Sequence, residues 1–220
     1  MLDENQTVET VLINGIQVKY RMPYGAGPHP VVLMFHGWTG DEDSMWVFAA
    51  KMPKDCLLIA PRGIFQSSIG GYGWHSEIAS HWPAISDFKD SIQAIWRILK
   101  ADQFSQSADF SRTRLLGFSQ GAALAYAFSI RAAFRPQAVA GLSGFVPDGV
   151  ERSQQGRPLS EIPFFVAHGK RDQIVPIERA RAGVSMLQGL GARVFYCEDD
   201  AGHRLSVSCF RSLQDFFQNN

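Results

Sequence analysis

The sequence has no surplus of charge of either sign: 21 basic residues balance 21 acidic ones. No basic run or face breaks that balance, so the positive footprint of a nucleic-acid binder is missing and nucleic acid is not an expected partner. No apolar run reaches the roughly 18 residues a membrane-spanning helix needs. The opening MLDENQTVET is acidic and polar, where a secretory signal would be basic and then apolar. The expectation is a soluble, cytoplasmic protein without stable membrane insertion. Cysteine is scarce, and Cys56, Cys197 and Cys209 are odd in number with no C-x-x-C spacing. That argues against a disulfide framework or a zinc site, and each cysteine, beside apolar residues, reads as a small buried thiol.

What the chain does have is enough length and apolar content for a full core. Its 220 residues suit one domain burying roughly 70% of the surface of the unfolded chain. No internal repeat, low-complexity tract or linker divides residues 1–220, so a single domain is expected; composition leaves a homodimer open. The 16 Phe and 5 Trp exceed what a core of this size needs, which leaves aromatic surface to line a pocket.

Residues 8–22, VETVLINGIQVKYRM, alternate apolar and polar on both sides of Asn14-Gly15, a dipeptide that supplies positive φ at both centres of a two-residue turn. They predict an antiparallel hairpin. Beyond it come short continuous apolar runs: VVLMF (31–35), CLLIA (56–60), RLLGF (114–118), AVAGLS (138–143), FFVAH (164–168) and RVFYCE (193–198). Runs of this kind predict parallel strands buried on both faces. Between them, Phe88, Ile92, Ile95, Trp96 and Leu99 follow a helical period, as do Ala180, Val184, Leu187 and Leu190, and Val207, Phe210, Leu213 and Phe217. Pro176 suits the first turn of the second helix. The expected fold class is α/β: a mostly parallel central sheet with an N-terminal antiparallel hairpin, helices on both faces, and ligands at the carboxyl ends of the strands.

One connection is too long for a simple crossover. Residues 63–86, GIFQSSIGGYGWHSEIASHWPAIS, are Gly-rich and carry Phe65, Tyr72, Trp74 and Trp82. Long loops in compact domains are usually functional or disordered, and aromatic content argues against disorder. The reading is a cover loop whose four aromatics line a substrate pocket, although Trp74 and Trp82 could equally cover the core. His75, Glu77 and His81 lack the spacing of H-E-x-x-H, so no metal site and no cofactor are expected.

The chemistry starts at LLGFSQGAA (115–123). G-x-S-x-G arises by chance about 0.15 times in such a chain, so context must carry it. Ser119 follows a buried run and precedes QGAALAYAFSIRAAF, the strand–turn–helix setting of a nucleophile elbow. A serine needs a base, and the base an acid to hold its tautomer. Asp172, in HGKRDQIVP, and His203, in DDAGHRLS, each follow a strand run, on the sheet edge where the serine emerges. The alternatives are a helix-capping role for Asp172, Asp199 or Asp200 as the acid, and a surface-loop role for His203. Oxyanion donors are expected from the backbone N–H of Gln120 and, on the loop FHGWTGDE, of Trp38. His36 is expected to shape that loop.

FHGWTGDE, APRG with GGYGW, GFSQGAALA, LSGFVP, HGKRDQIVP and AGHRLS together resemble, in order and spacing, the phospholipase/carboxylesterase family of α/β-hydrolases, over about residues 30–206. The resemblance implies a triad of Ser119, Asp172 and His203 and an oxyanion hole of the Trp38 and Gln120 N–H groups. It also implies a serine carboxylesterase acting through an acyl-enzyme. Many members carry a leucine-like residue where Trp38 stands and a small one where Thr39 stands. A tryptophan there narrows the acyl site toward short- to medium-chain esters. The alternatives are a lysophospholipase, an acyl-protein thioesterase or a non-catalytic receptor. The expected partner is a small-molecule ester or thioester substrate.

Overall fold

The computed structural model describes residues 7–77, 81–131, 135–150 and 158–220. Its strands are β1 (Val8–Ile13), β2 (Ile16–Arg21), β3 (His29–Phe35), β4 (Leu57–Pro61), the short β5 (Phe65–Gln66) and β6 (Tyr72–Gly73), β7 (Ala108–Phe118), β8 (Ala138–Leu142), β9 (Pro163–Gly169) and β10 (Arg193–Asp199). The helices are α1 (Lys89–Leu99), α2 (Gln120–Arg131), α3 (Ile177–Gly189) and α4 (Val207–Asn219).

Eight strands form one sheet in the order β1-β2-β4-β3-β7-β8-β9-β10. The first two pairings are antiparallel and the other five parallel. The hairpin turns at Asn14 and Gly15, with φ of 49° and 81°, as an Asn-Gly turn requires. Every residue of β4, β8 and β9 is buried. The helix-forming run after Ser119 becomes α2, buried from Gln120 to Ile130, and α1 packs over it, with Trp96 on Phe128 at 5.6 Å.

Two strands depart from the expectation. β7 starts at Ala108, six residues before the apolar run, because its first half carries polar residues opposite a bulge between Pro30 and Val31. β10 is an edge strand rather than one buried on both faces, leaving Phe195 and Tyr196 exposed.

The cysteines require a correction. Cys56 is a buried free thiol, its pKa pushed up to about 11 by burial. Cys197 on β10 and Cys209 on α4 instead form a disulfide, with Cα atoms 5.7 Å apart. Their separation of 12 residues carries no motif; what brings them together is α4 laying Leu213, Phe216 and Phe217 against the sheet beside Phe165. Disulfides of this kind are uncommon in the cytosol. The bond brackets the loop that carries His203.

The connection expected as a pocket loop is a hairpin, β5 against β6, clamped onto the β3 exit loop. The N–H of Tyr72 donates to Gly40 O (2.9 Å) and the N–H of Gly63 to His36 Nε2 (2.8 Å). The Trp74 indole donates to His36 O (2.7 Å), and Arg62 grips Glu42 through two 2.6 Å bonds. His36 therefore plays the structural part expected of it. Because Nε2 accepts from Gly63, the ring proton sits on Nδ1 and is donated to Gly37 O (2.7 Å).

Two predictions follow from these fastenings. Reducing Cys197–Cys209 frees a loop whose closure is worth about 3 kcal/mol. The urea midpoint should therefore drop with dithiothreitol, and alkylation after denaturation should find two more thiols in reduced protein than in oxidised; equal thiol counts refute the bond. Burial lowers the pKa of His36, against the opposing pull of Gly37 O, Asp41 and Glu42. The unfolded chain thus binds the proton more readily, and the His36 contribution is lost as pH falls below about 6.5. His36→Phe should cost about 1–3 kcal/mol at neutral pH and show a shallower fall of Tm with acid than the native protein. Parallel Tm curves would contradict this.

Candidate active site

Ser119 stands where β7 ends and α2 begins, with φ at 54°. That left-handed conformation costs a non-glycine residue about 1–2 kcal/mol. It is enforced by its surroundings: the Ser119 N–H donates to Leu142 O on the neighbouring strand exit (2.8 Å), and Ser119 O accepts from the Ala122 N–H (3.0 Å). The glycines of the motif are there for backbone contact. A Cβ at Gly117 would lie 2.2 Å from Gly121 O, and one at Gly121 would lie 2.0 Å from Phe35 O. The chain can turn this sharply only because both positions are bare.

The other two residues arrive from the exits of β9 and β10. The side chain of Asp172 is fully buried, and its Oδ1 accepts from the N–H groups of Ile174 and Val175, both at 2.9 Å. Its Oδ2 lies 2.7 Å from His203 Nδ1 and 3.4 Å from His168 Nε2. A carboxylate only accepts, so Nδ1 of His203 carries the proton, and the bare Nε2 faces Ser119 Oγ at 3.0 Å. The loops are tied to each other as well, since the Arg171 N–H donates to Ala201 O and the Lys170 N–H to Asp199 O.

The structure thus joins the three residues in one hydrogen-bonded line. Asp172 serves the turn that leads to Pro176 rather than capping α3. Asp199 is bonded to Ser208, and Asp200 pairs with Arg171. Neither touches His203.

The two oxyanion candidates flank the serine. Gln120 opens α2, so its N–H has no carbonyl behind it in the helix. Trp38 lies in a turn closed by the Gly40 N–H on Gly37 O (3.0 Å), with Thr39 at φ 66°. Both residues border an open cleft of about 1030 Å³ that reaches Ser119. Trp82, Phe145 and Val175 form its apolar wall, Trp82 meeting Phe145 edge-on at 4.8 Å. Ile69 and Ile174, 80% and 64% exposed, stand at the mouth.

Of the four loop aromatics expected to line the pocket, Trp82 does so. Trp74 is fully buried in the core against Phe35 at 5.5 Å, because its indole N–H is committed to His36 O. Tyr72 lies over the Arg62 guanidinium at 4.6 Å, and Phe65 is held in the small hairpin; neither borders the cleft. Residues 78–80 of that connection lie outside the described residues.

Phe145, Val175 and Ile174 are among the lining residues that the sequence does not single out. They lie in LSGFVP and HGKRDQIVP, directly after strand exits, where position alone could have flagged them. His75 borders the cleft too, its pKa lowered by burial. Glu77, held low by hydrogen bonds from Ser68, fastens the 67–69 turn instead of facing a metal. Among the described residues, no three His, Cys, Asp or Glu side chains are grouped to hold an ion.

Comparison with known proteins agrees with this geometry. Residues 24–220 match the phospholipase/carboxylesterase family. The acyl-protein thioesterase 1 of Yarrowia lipolytica is 26% identical over 171 residues, covering 70% of this chain and 74% of that one. In fold, the carboxylesterase of Mesorhizobium loti superposes with a TM-score of 0.79 at 19% identity, over 98% of this chain and 100% of the other. The Bacillus cereus carboxylesterase does so at 0.77 and 17% identity, over 98% and 96%. An eight-stranded, mostly parallel sheet with this elbow and this match over nearly its whole length makes the chain a member of the phospholipase/carboxylesterase family, a serine hydrolase acting on ester bonds.

Proposed function

We propose that the protein is a carboxylesterase in which Ser119 is the nucleophile, His203 the base and Asp172 the acid that orients it. One observation carries the reading: the unbroken line from Ser119 Oγ to His203 Nε2 (3.0 Å) and from His203 Nδ1 to Asp172 (2.7 Å), opening into an apolar cleft. In this arrangement His203 takes the Ser119 proton as Oγ attacks the carbonyl carbon. The carbonyl π electrons move to oxygen, which accepts from the N–H groups of Trp38 and Gln120. Each such donor is worth about 3–4 kcal/mol. The oxyanion then collapses, His203 gives its proton to the departing alcohol, and the acyl group stays on Ser119. Water, deprotonated by the same imidazole, repeats the sequence and releases the acid.

The walls of the cleft support a substrate class. Trp38 and the Trp82–Phe145 pair favour acyl groups of short to medium length, and Ser119 lies within reach of solvent through an open mouth. The thioesterase relative favours a second reading, an acylated thiol, and the exposed Ile69 and Ile174 could meet a larger leaving group. No described helix is long and apolar enough to cross a membrane.

A fluorophosphonate should label the native protein at Ser119, and Ser119→Ala should lose about 10⁵–10⁶-fold in kcat while keeping its Tm. Undiminished turnover by that variant would refute the assignment. Across p-nitrophenyl esters, kcat/KM should fall steeply at long acyl chains, and Trp38→Leu should shift the optimum to longer ones. If palmitoyl thioesters outpace butyrate esters in the native protein, the thioesterase reading replaces this one.

A further inference from the structure

The N–H groups of Trp38 and Gln120 sit on two unrelated segments, the exit of β3 and the first turn of α2. Both must meet a single oxygen, so their spacing has to be held by something other than their own loops. A buried side chain, only 6% exposed, meets the side chains of both residues: His75.

Its bonding is fully determined by its neighbours. The Trp74 N–H donates to Gln120 Oε1 (2.7 Å), which makes the other arm of that amide the NH₂. That arm lies 2.7 Å from His75 Nε2, so the imidazole accepts there. The ring proton is then on Nδ1, donated to Ser76 O at 2.6 Å. On its face, His75 stacks against the Trp38 indole, with centroids 6.0 Å apart and planes 17° from parallel, while Phe88 meets it edge-on at 5.2 Å. The indole has no freedom on the side of Gly73, where even a Cβ would lie 2.2 Å from its ring.

We infer that His75 is a positioning residue for the oxyanion site, an uncharged spacer that hydrogen-bonds the Gln120 side chain while its ring face supports Trp38, so that the two backbone donors keep one spacing. The inference rests on the esterase reading above. It also asks a neutral acceptor of His75: Phe would keep the stack and lose the bond, whereas Gln can return an acceptor oxygen to the place of Nε2.

The test uses the native chain, His75→Phe, His75→Gln and Gln120→Met, with p-nitrophenyl acetate and a trifluoromethyl ketone. The ketone adds to the serine and leaves an oxyanion in the hole. His75→Phe should lower kcat by about tenfold or more, part of the 10²–10³ that a lost donor costs, with KM within twofold and ketone affinity falling by the same factor as kcat. His75→Gln, which returns the acceptor but gives up the ring face under Trp38, should recover part of both. Gln120→Met, which removes the bond from the other side together with the acceptor of the Trp74 N–H, should be at least as impaired as His75→Phe, and it carries the test if His75→Phe does not fold. The inference is overturned if His75→Phe and Gln120→Met keep native kcat and ketone affinity, or if His75→Gln is as impaired as His75→Phe. Absence of fluorophosphonate labelling in the native protein would instead remove the esterase reading itself.

Discussion

The backbone at Ser119 bends into a conformation that L-residues avoid, and the bend is held in the middle of the sheet rather than at its margin. Its N–H is captured by Leu142 O at the end of β8, while Gly121 lies against the carbonyl of Phe35 at the end of β3. Both neighbours of β7 thus grip the turn. Straightening it would break the hydrogen bond to β8 and lift the first turn of α2, a helix buried from Gln120 to Ile130. The strain at one residue is offset by the burial of the helix that follows. Everything else in the site is arranged around the point where that bend places Oγ.

From that fixed point, the site is built by loops that fasten to one another more than to the sheet. The Asp172 turn bonds to the His203 loop, and the β5–β6 hairpin bonds to the β3 exit through Gly40, His36 and Glu42. Three histidines act as joints. His36, His75 and His203 each donate from Nδ1 to an oxygen and present a bare Nε2, to Gly63, Gln120 and Ser119 respectively. In the first two the acceptor nitrogen meets a protein N–H and is used up. In His203 it meets a hydroxyl, whose proton can leave.

How far the sequence disclosed this depends on the range of the interaction. Gly117, Ser119 and Gly121 were readable because their constraint is local: five residues define the turn. Asp172 and His203 were readable because both follow strands, and a parallel sheet brings strand exits to one edge. Trp74 misled for the opposite reason. Its aromatic, Gly-rich setting suggests a pocket, but hydrogen bonds with His36, Gln120 and Ser91, 38, 46 and 17 residues away, hold it in the core. Cys197 and Cys209 likewise carry no local sign of pairing, since the packing of α4 on the sheet alone sets their distance. The early start of β7 was hidden because its polar half satisfies strand pairing without an apolar run.

The same distinction explains why sequence spacing says nothing of the part His75 plays. A spacing rule tests a histidine against its neighbours in sequence, and Glu77 and His81 are the wrong neighbours. The relevant partners are Trp38, Gln120 and Phe88, 37, 45 and 13 positions away. A site that must stabilise charge on one oxygen is sensitive to the separation of its donors, and donors on separate loops have no covalent means of holding it. A side chain wedged between the loops is therefore part of the site's geometry even when it touches neither the serine nor the oxygen. In this chain the wedge is an imidazole that accepts through one nitrogen and donates through the other, which fixes its orientation with no charge placed beside the proposed oxyanion site.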